Sequence, residues 1–129
     1  MFTPFLTPGH TGGSICLADH EHNLLITGDH LLPHMYAGLG LGAPTLNNPI
    51  ADYLDSLDVI DRGDHVEVLP GHGYRFTGLT ERGADARSDH LTRNQEVSNV
   101  LAADPGATIW DIATQLSWTA GWSRMTGFI

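Results

Sequence analysis

A chain of 129 residues is long enough to bury one substantial core, and 41% hydrophobic residues without any apolar run near the roughly 20 needed to cross a bilayer give the composition of a soluble globular protein. Fifteen acidic residues against six basic ones, all arginine, leave a formal charge of -9, which repels polyanions and excludes nucleic acid as the default partner. The one cysteine, Cys16, excludes an internal disulfide and fits a reducing cytoplasm, and residues 1–6 lack the basic and apolar regions of a secretion signal.

Thr7-Pro8-Gly9-His10-Thr11-Gly12-Gly13-Ser14 sets one imidazole among glycines and hydroxyl residues, just before the first strand-like run, Ile15-Cys16-Leu17-Ala18. Residues 15–28 read as two short antiparallel strands joined by the polar turn Asp19-His20-Glu21-His22-Asn23. His20 and His22 face the same way on an extended chain, as zinc ligands often do, yet no third ligand follows and they read as a solvated hairpin tip. The second strand ends in Thr27-Gly28-Asp29-His30. From Leu31 to Pro49, glycine and proline break up the apolar stretches, including Gly42-Ala43-Pro44, and predict a long loop. Such a loop either lines a substrate pocket or is a surface insertion, and His34 within it is a substrate contact or a surface histidine.

Asn48 as N-cap and Pro49 in the first turn start a helix whose apolar side carries Ile50, Tyr53, Leu54, Leu57 and Ile60. Arg62-Gly63-Asp64 ends it, and a strand from His65 to Leu69 runs into Pro70-Gly71-His72-Gly73. Strand, helix, strand is an α/β signature with function at the turns. Beyond Phe76-Thr77-Gly78 the character changes. Residues 80–103 predict a long exposed helix with one apolar stripe of Leu91, Val97, Val100 and Leu101, broken by Asp104-Pro105-Gly106. Thr108 then caps a shorter helix through Ile109, Ile112, Ala113 and Leu116, and Trp110, Trp118 and Trp122 call for a core or an interface. The expected division is therefore an α/β domain over residues 1–78 and a helical appendage over residues 79–129.

His10, Asp29 and His72 each stand on a glycine turn beside a strand. Together they offer neutral nitrogen and anionic oxygen, which zinc accepts, and a carboxylate can bridge two ions about 3.5 to 4 Å apart. Such a pair activates water near neutral pH and polarises a carbonyl or phosphoryl oxygen, so the chemistry indicated is hydrolysis. Each residue also has a plainer reading: His10 caps a turn, Asp29 closes an Asx turn, His72 packs in a core. Their recurrence in one context favours the ligand reading. Ser14 and Cys16 have no nucleophile-elbow context.

At these residues the sequence resembles the metallo-β-lactamase-fold hydrolases. Residues 7–14 are similar to that family's third metal motif, Thr27-Gly28-Asp29 to the fourth, and Pro70-Gly71-His72-Gly73 to the fifth. Gly28-Asp29-His30-Leu31-Leu32-Pro33, with the tail from Ser88-Asp89-His90-Leu91-Thr92-Arg93, resembles the branch holding the glyoxalase-II-like and endoribonuclease-like proteins. The resemblance implies that His10 binds the first metal, Asp29 bridges both and His72 binds the second, the pair being zinc, with iron or manganese as alternatives. It also implies further ligands from an earlier His-x-His-x-Asp-His loop that these residues lack. The chain then corresponds to the C-terminal half of an αββα sandwich with an incomplete winged-helix-like tail. The resemblance implies a fragment truncated at both ends and inactive by itself. The implied substrate is a small-molecule ester or thioester, or a phosphodiester, with His30, His34 and Tyr74 as expected pocket residues; His90 reads as a packing or capping residue on its helix. The alternative is a non-catalytic binding or assembly module of the same fold, self-associating through the apolar sheet face that a half-sandwich exposes.

Overall fold

The computed structural model describes residues 1–42, 47–61 and 66–118. Ala43-Pro44, Arg62-Gly63-Asp64 with His65, and Trp122, to which the sequence assigned parts of a loop, a helix end, a strand start and a core, lie outside those residues. The chain divides into two compact units, Met1–Arg87 and Ser88–Ile129.

The first unit is built on a sheet of β1 (Phe2–Leu6), β2 (Ile15–Asp19), β3 (Leu24–Gly28) and β4 (Glu67–Pro70), in that spatial order. β1 with β2 and β2 with β3 are antiparallel, whereas β3 with β4 is parallel, with helix α1 (Pro49–Ile60) between them in the chain. This is the mixed α/β architecture expected. β1 is an addition to the elements expected from the sequence, and it contains Pro4. As an edge strand with β2 as its neighbour, β1 lies where a sheet tolerates proline.

Register decides what each face presents. Phe5 pairs with Cys16, Ala18 with Leu25 and Leu25 with Val68, so these side chains share one face. Tyr53, Leu57 and Ile60 of α1 close that face, joined by Leu79 and Ala86 from the start of α2 (Leu79–Ala103). The opposite face carries Leu6, Ile15, Leu17, Ile26 and Leu69 by the same register, with Leu6 65% and Ile15 52% exposed. The sheet is thus apolar on both faces, and its helices cover one.

Helix α1 has 12 residues, a length at which an isolated helix is marginal in water. Burial of Tyr53 at 1%, Leu57 at 5% and Ile60 at 1% exposure holds it, each side chain contributing about 1.5 to 3 kcal/mol. The Asn48 side-chain oxygen accepts from the backbone N–H groups of Ile50 at 3.0 Å and Ala51 at 3.4 Å, satisfying donors that the helix leaves free. Farther along, Arg87 donates to the Leu54 carbonyl at 2.9 Å and to Asp58 at 2.5 Å. Helix α1 also fixes the loop after β1: the Ser56 hydroxyl donates to the Pro8 carbonyl at 2.8 Å, and Gly9 lies against Tyr53. Gly9 has φ of +142°, and a Cβ there would come within 2.6 Å of Tyr53 Cβ and 2.7 Å of its Cα.

In the second unit, the later part of α2 is followed by α3 (Ile109–Gln115). Thr108 and Asp111 form a reciprocal capping box at the start of α3. The Trp118 indole N–H donates to the Ala113 carbonyl at 2.7 Å, and the Arg93 guanidinium lies 4.8 Å from the centre of the Trp118 ring. Of the apolar stripe expected along α2, Val100 is buried while Leu91 and Leu101 are 48% and 39% exposed. Burial holds the half-buried His90 below the ordinary imidazole range. Among the described residues no helix is long and apolar enough to cross a membrane.

Two substitutions test this packing. Asn48→Ala is expected to lower the stability of the chain by about 1 kcal/mol in urea denaturation, the usual value of a helix N-cap. Gly9→Ala forces a side chain into Tyr53 and is expected to cost about 3 kcal/mol or more. Gly13→Ala in the same loop serves as control, because its Cβ would meet nothing within 4 Å. Equal melting curves for the two glycine variants would contradict the packing of the loop on α1.

Candidate metal centre

Three loops at one end of the sheet carry the three candidate ligands. The first, between β1 and β2, closes on itself: Thr7 N–H donates to the Ser14 carbonyl at 2.8 Å, and the Thr11 and Ser14 hydroxyls are 2.8 Å apart. The buried Thr7 hydroxyl meets Cys16 Sγ at 3.4 Å, and burial pushes the Cys16 thiol up from its ordinary value. Cys16 is a fully buried side chain with no access to the loop surface, packed as a small hydrophobe. His10 emerges from this loop with its own backbone paired, since Leu41 N–H donates to the His10 carbonyl and Gly40 N–H to the Gly9 carbonyl, both at 2.8 Å.

Asp29 follows β3 on a turn that Thr27 builds. The Thr27 hydroxyl donates to the Leu31 carbonyl at 2.9 Å, and His30 N–H donates to the Thr27 carbonyl at 3.0 Å. The turn sends Asp29 outward and His30 inward. His30 is 1% exposed with its ring 4.9 Å from that of Tyr53, so it lies beneath the loops rather than on their surface. Burial pushes its pKa down to about 4, with the nearby His10 adding to the effect, and His30 is neutral at physiological pH.

His72 follows β4. Parallel pairing sets Pro70 beside Gly28, and Gly71 N–H donates to the Gly28 carbonyl at 2.7 Å. Gly71 suits that approach, because a Cβ there would clash with Asp29 Oδ1 and come within 3.0 Å of the Gly28 carbonyl carbon.

The outcome is a convergence of residues distant in sequence: His10 Nε2 lies 3.5 Å from Asp29 Oδ2, and His72 Nε2 lies 3.4 Å from Asp29 Oδ1. One carboxylate turns a separate oxygen toward each ring. His10 Nδ1 is 2.7 Å from the Gly38 carbonyl, which can only accept, so Nδ1 carries a proton, and in the neutral ring Nε2 presents a lone pair to the carboxylate. A neutral imidazole lone pair facing a carboxylate oxygen is two electron-pair donors with no hydrogen between them. A cation relieves that opposition. Zinc–nitrogen and zinc–oxygen bonds near 2.05 Å at a tetrahedral angle put the two donor atoms about 3.3 Å apart, close to both separations here. The donor set therefore fits metal ions, with Nδ1–H bonded to a carbonyl in the manner common for ligating histidines.

Beside this end of the sheet the His34 and Tyr74 rings are stacked, with centres 5.7 Å apart and planes 10° from parallel. Tyr74, Pro33, Phe76 and Thr77 line an open cleft of about 380 Å³. Of the expected pocket residues, His34 and Tyr74 are thus exposed and adjacent, and His30 is buried.

At the hairpin tip, Asp19, Glu21 and His22 bring ligand-type atoms within 4.8 Å of one another. The Asp19 carboxylate already accepts from the His22 ring at 2.7 Å and the Glu21 N–H at 3.1 Å, and the His22 contact holds its pKa below the usual carboxylate value. His20 meets the Thr3 hydroxyl at 3.1 Å. These are the bonds of a turn. Gly38 and Ser56, which orient the His10 loop, escaped the sequence reading: the first acts through a backbone carbonyl, and the second is one hydroxyl on a helix face.

Comparison with known proteins bears on the family and the fold. A family model described as "Metallo-beta-lactamase superfamily" matches residues 1–72. The chain is 41% identical over 73 residues to acyl-coenzyme A thioesterase MBLAC2 of Gallus gallus, covering 54% of this chain and 24% of that protein. It is 27% identical over 117 residues to a beta-lactamase-like protein 2 homolog of Caenorhabditis elegans, covering 91% of this chain and 37% of the relative. The chain therefore spans roughly a quarter to somewhat over a third of these curated relatives. A crystal structure of a metallo-beta-lactamase family protein from Thermus thermophilus superposes with a TM-score of 0.73 at 28% identity, over 87% of this chain and 36% of that one. With a family model matching more than half of its residues, the chain belongs to the metallo-beta-lactamase superfamily.

Proposed function

We propose that His10, Asp29 and His72 are metal ligands of a hydrolytic centre in which Asp29 is shared between two ions, zinc in the first instance. The observation that carries this reading is the Asp29 carboxylate, with one oxygen toward each imidazole at 3.5 and 3.4 Å. Bound metal would polarise the scissile carbonyl or phosphoryl oxygen and activate water. The chain's own contribution is orientation. Gly38 fixes the His10 tautomer, the Thr27 turn aims Asp29, and the neutral His30 beneath them adds no competing positive charge.

Among ester, thioester and phosphodiester substrates, the thioester has the support of the thioesterase name carried by the Gallus gallus relative. The stacked His34–Tyr74 pair beside the cleft offers an aromatic wall for the substrate. The remaining ligands, in this reading, come from outside these 129 residues, and the chain by itself binds metal weakly and turns over no substrate.

A second reading has its own observation. The open apolar face, with Phe2 at 56%, Leu6 at 65% and Ile15 at 52% exposure, fits a module that associates through this sheet, either with a companion segment or with a second copy. A strictly monomeric species in light scattering at high concentration counts against association of copies.

Calorimetric titration with zinc tests the main reading. His10→Ala, His72→Ala and Asp29→Asn are each expected to weaken binding about tenfold or more. His22→Ala, at the hairpin tip, is expected to leave it unchanged. Zinc affinity that follows His22 and ignores His10 and His72 overturns the assignment.

A further inference from the structure

Arg82 stands on the first turns of α2, and its side chain is 12% exposed. Its Nε–H donates to the Leu32 carbonyl at 2.6 Å, Nη2 donates to the Met35 carbonyl at 2.7 Å, and Nη1 pairs with Asp85. The guanidinium lies 4.7 Å from the centre of the Tyr36 ring, and the Tyr36 hydroxyl donates to the same Asp85 at 3.2 Å. One planar cation thus grips a segment that has no helix or strand of its own. A guanidinium suits the task because its donors are fixed in a rigid fork, so two carbonyls and a carboxylate can be held at once.

The segment it grips is attached to the candidate centre at both ends. It leaves the Asp29 turn through Leu31, whose carbonyl accepts from Thr27. Two residues beyond Tyr36, the Gly38 carbonyl accepts from His10 Nδ1 at 2.7 Å, and Gly40 and Leu41 then bond the backbone of Gly9 and His10. We infer that Arg82 is a positioning residue of the centre: by holding the Leu32 and Met35 carbonyls, it sets the Gly38 carbonyl that fixes the His10 tautomer and aims Nε2 at Asp29. This rests on the ligand assignment above for its consequence on metal binding, but its effect on the His10 ring is independent of any metal.

The test uses Arg82→Met, Arg82→Lys and Arg87→Met. Arg87 is the control, since it lies on the same helix and also bonds a backbone carbonyl and a carboxylate, but on α1 and away from the loop. In the metal-free chain, histidine-ring nitrogen NMR is expected to find His10 protonated at Nδ1 in the native chain and in Arg87→Met, and in mixed tautomers in Arg82→Met. Calorimetric zinc titration is expected to weaken about tenfold to a hundredfold in Arg82→Met, partly recover in Arg82→Lys, and stay unchanged in Arg87→Met, with far-ultraviolet circular dichroism unaltered. A His10 tautomer indifferent to Arg82, or zinc affinity lost equally in the Arg82 and Arg87 variants, overturns the inference. Should Arg82→Met fail to fold, Arg82→Gln, which cannot hold both carbonyls and the carboxylate at once, carries the test through the tautomer alone, and a ring identical to the native one overturns the inference. Zinc binding insensitive to His10 and His72 would instead sink the ligand assignment and leave the tautomer measurement to decide the role of Arg82.

Discussion

The rest of the structure is arranged around one close approach: a carboxylate with an imidazole nitrogen 3.5 Å from one oxygen and another 3.4 Å from the second. These separations exceed those of an N–H···O hydrogen bond, and at His10 the proton is committed to Gly38 on the far side of the ring. A neutral His10 ring therefore faces the Asp29 carboxylate with an electron pair. Keeping them so requires a scaffold that does not let the loops relax apart.

That scaffold is the parallel pairing of β3 with β4 and the packing of α1 on the sheet. The first brings the Asp29 and His72 loops side by side, with Gly71 in contact with Gly28 and no room for a side chain. The second pins the His10 loop through Ser56 and the contact of Gly9 with Tyr53. Arg82 on α2 then ties down the long connection between them. These restraints come from different parts of the chain, and the backbone of the 31–42 segment links the Asp29 turn to the His10 loop.

Much of this was legible from residue order. The antiparallel hairpin of β2 and β3, the capped helix at Asn48 and the strand–helix–strand unit follow from periodicity and turn chemistry, because each is a local signal. The three candidate ligands stood out for the same reason, each on a glycine turn beside a strand. β1 did not, since Pro4 reads as a breaker unless the strand is known to be at an edge. The burial of His30 was hidden as well: its neighbour Asp29 points outward, and only the turn closed by Thr27 and Leu31 decides which of the two faces the core. Gly38 and Arg82 act across separations of 28 and 50 residues, one of them through a main-chain atom, and no sequence pattern marks such a contact.

The most direct measurement is histidine-ring nitrogen NMR of the chain during zinc addition, with every imidazole assigned. The account predicts that the Nε2 resonances of His10 and His72 move together as zinc is added, while His10 Nδ1 keeps its proton and His20 and His22 stay in place. Movement confined to the hairpin-tip histidines, or His10 and His72 unmoved at saturating zinc, would contradict it.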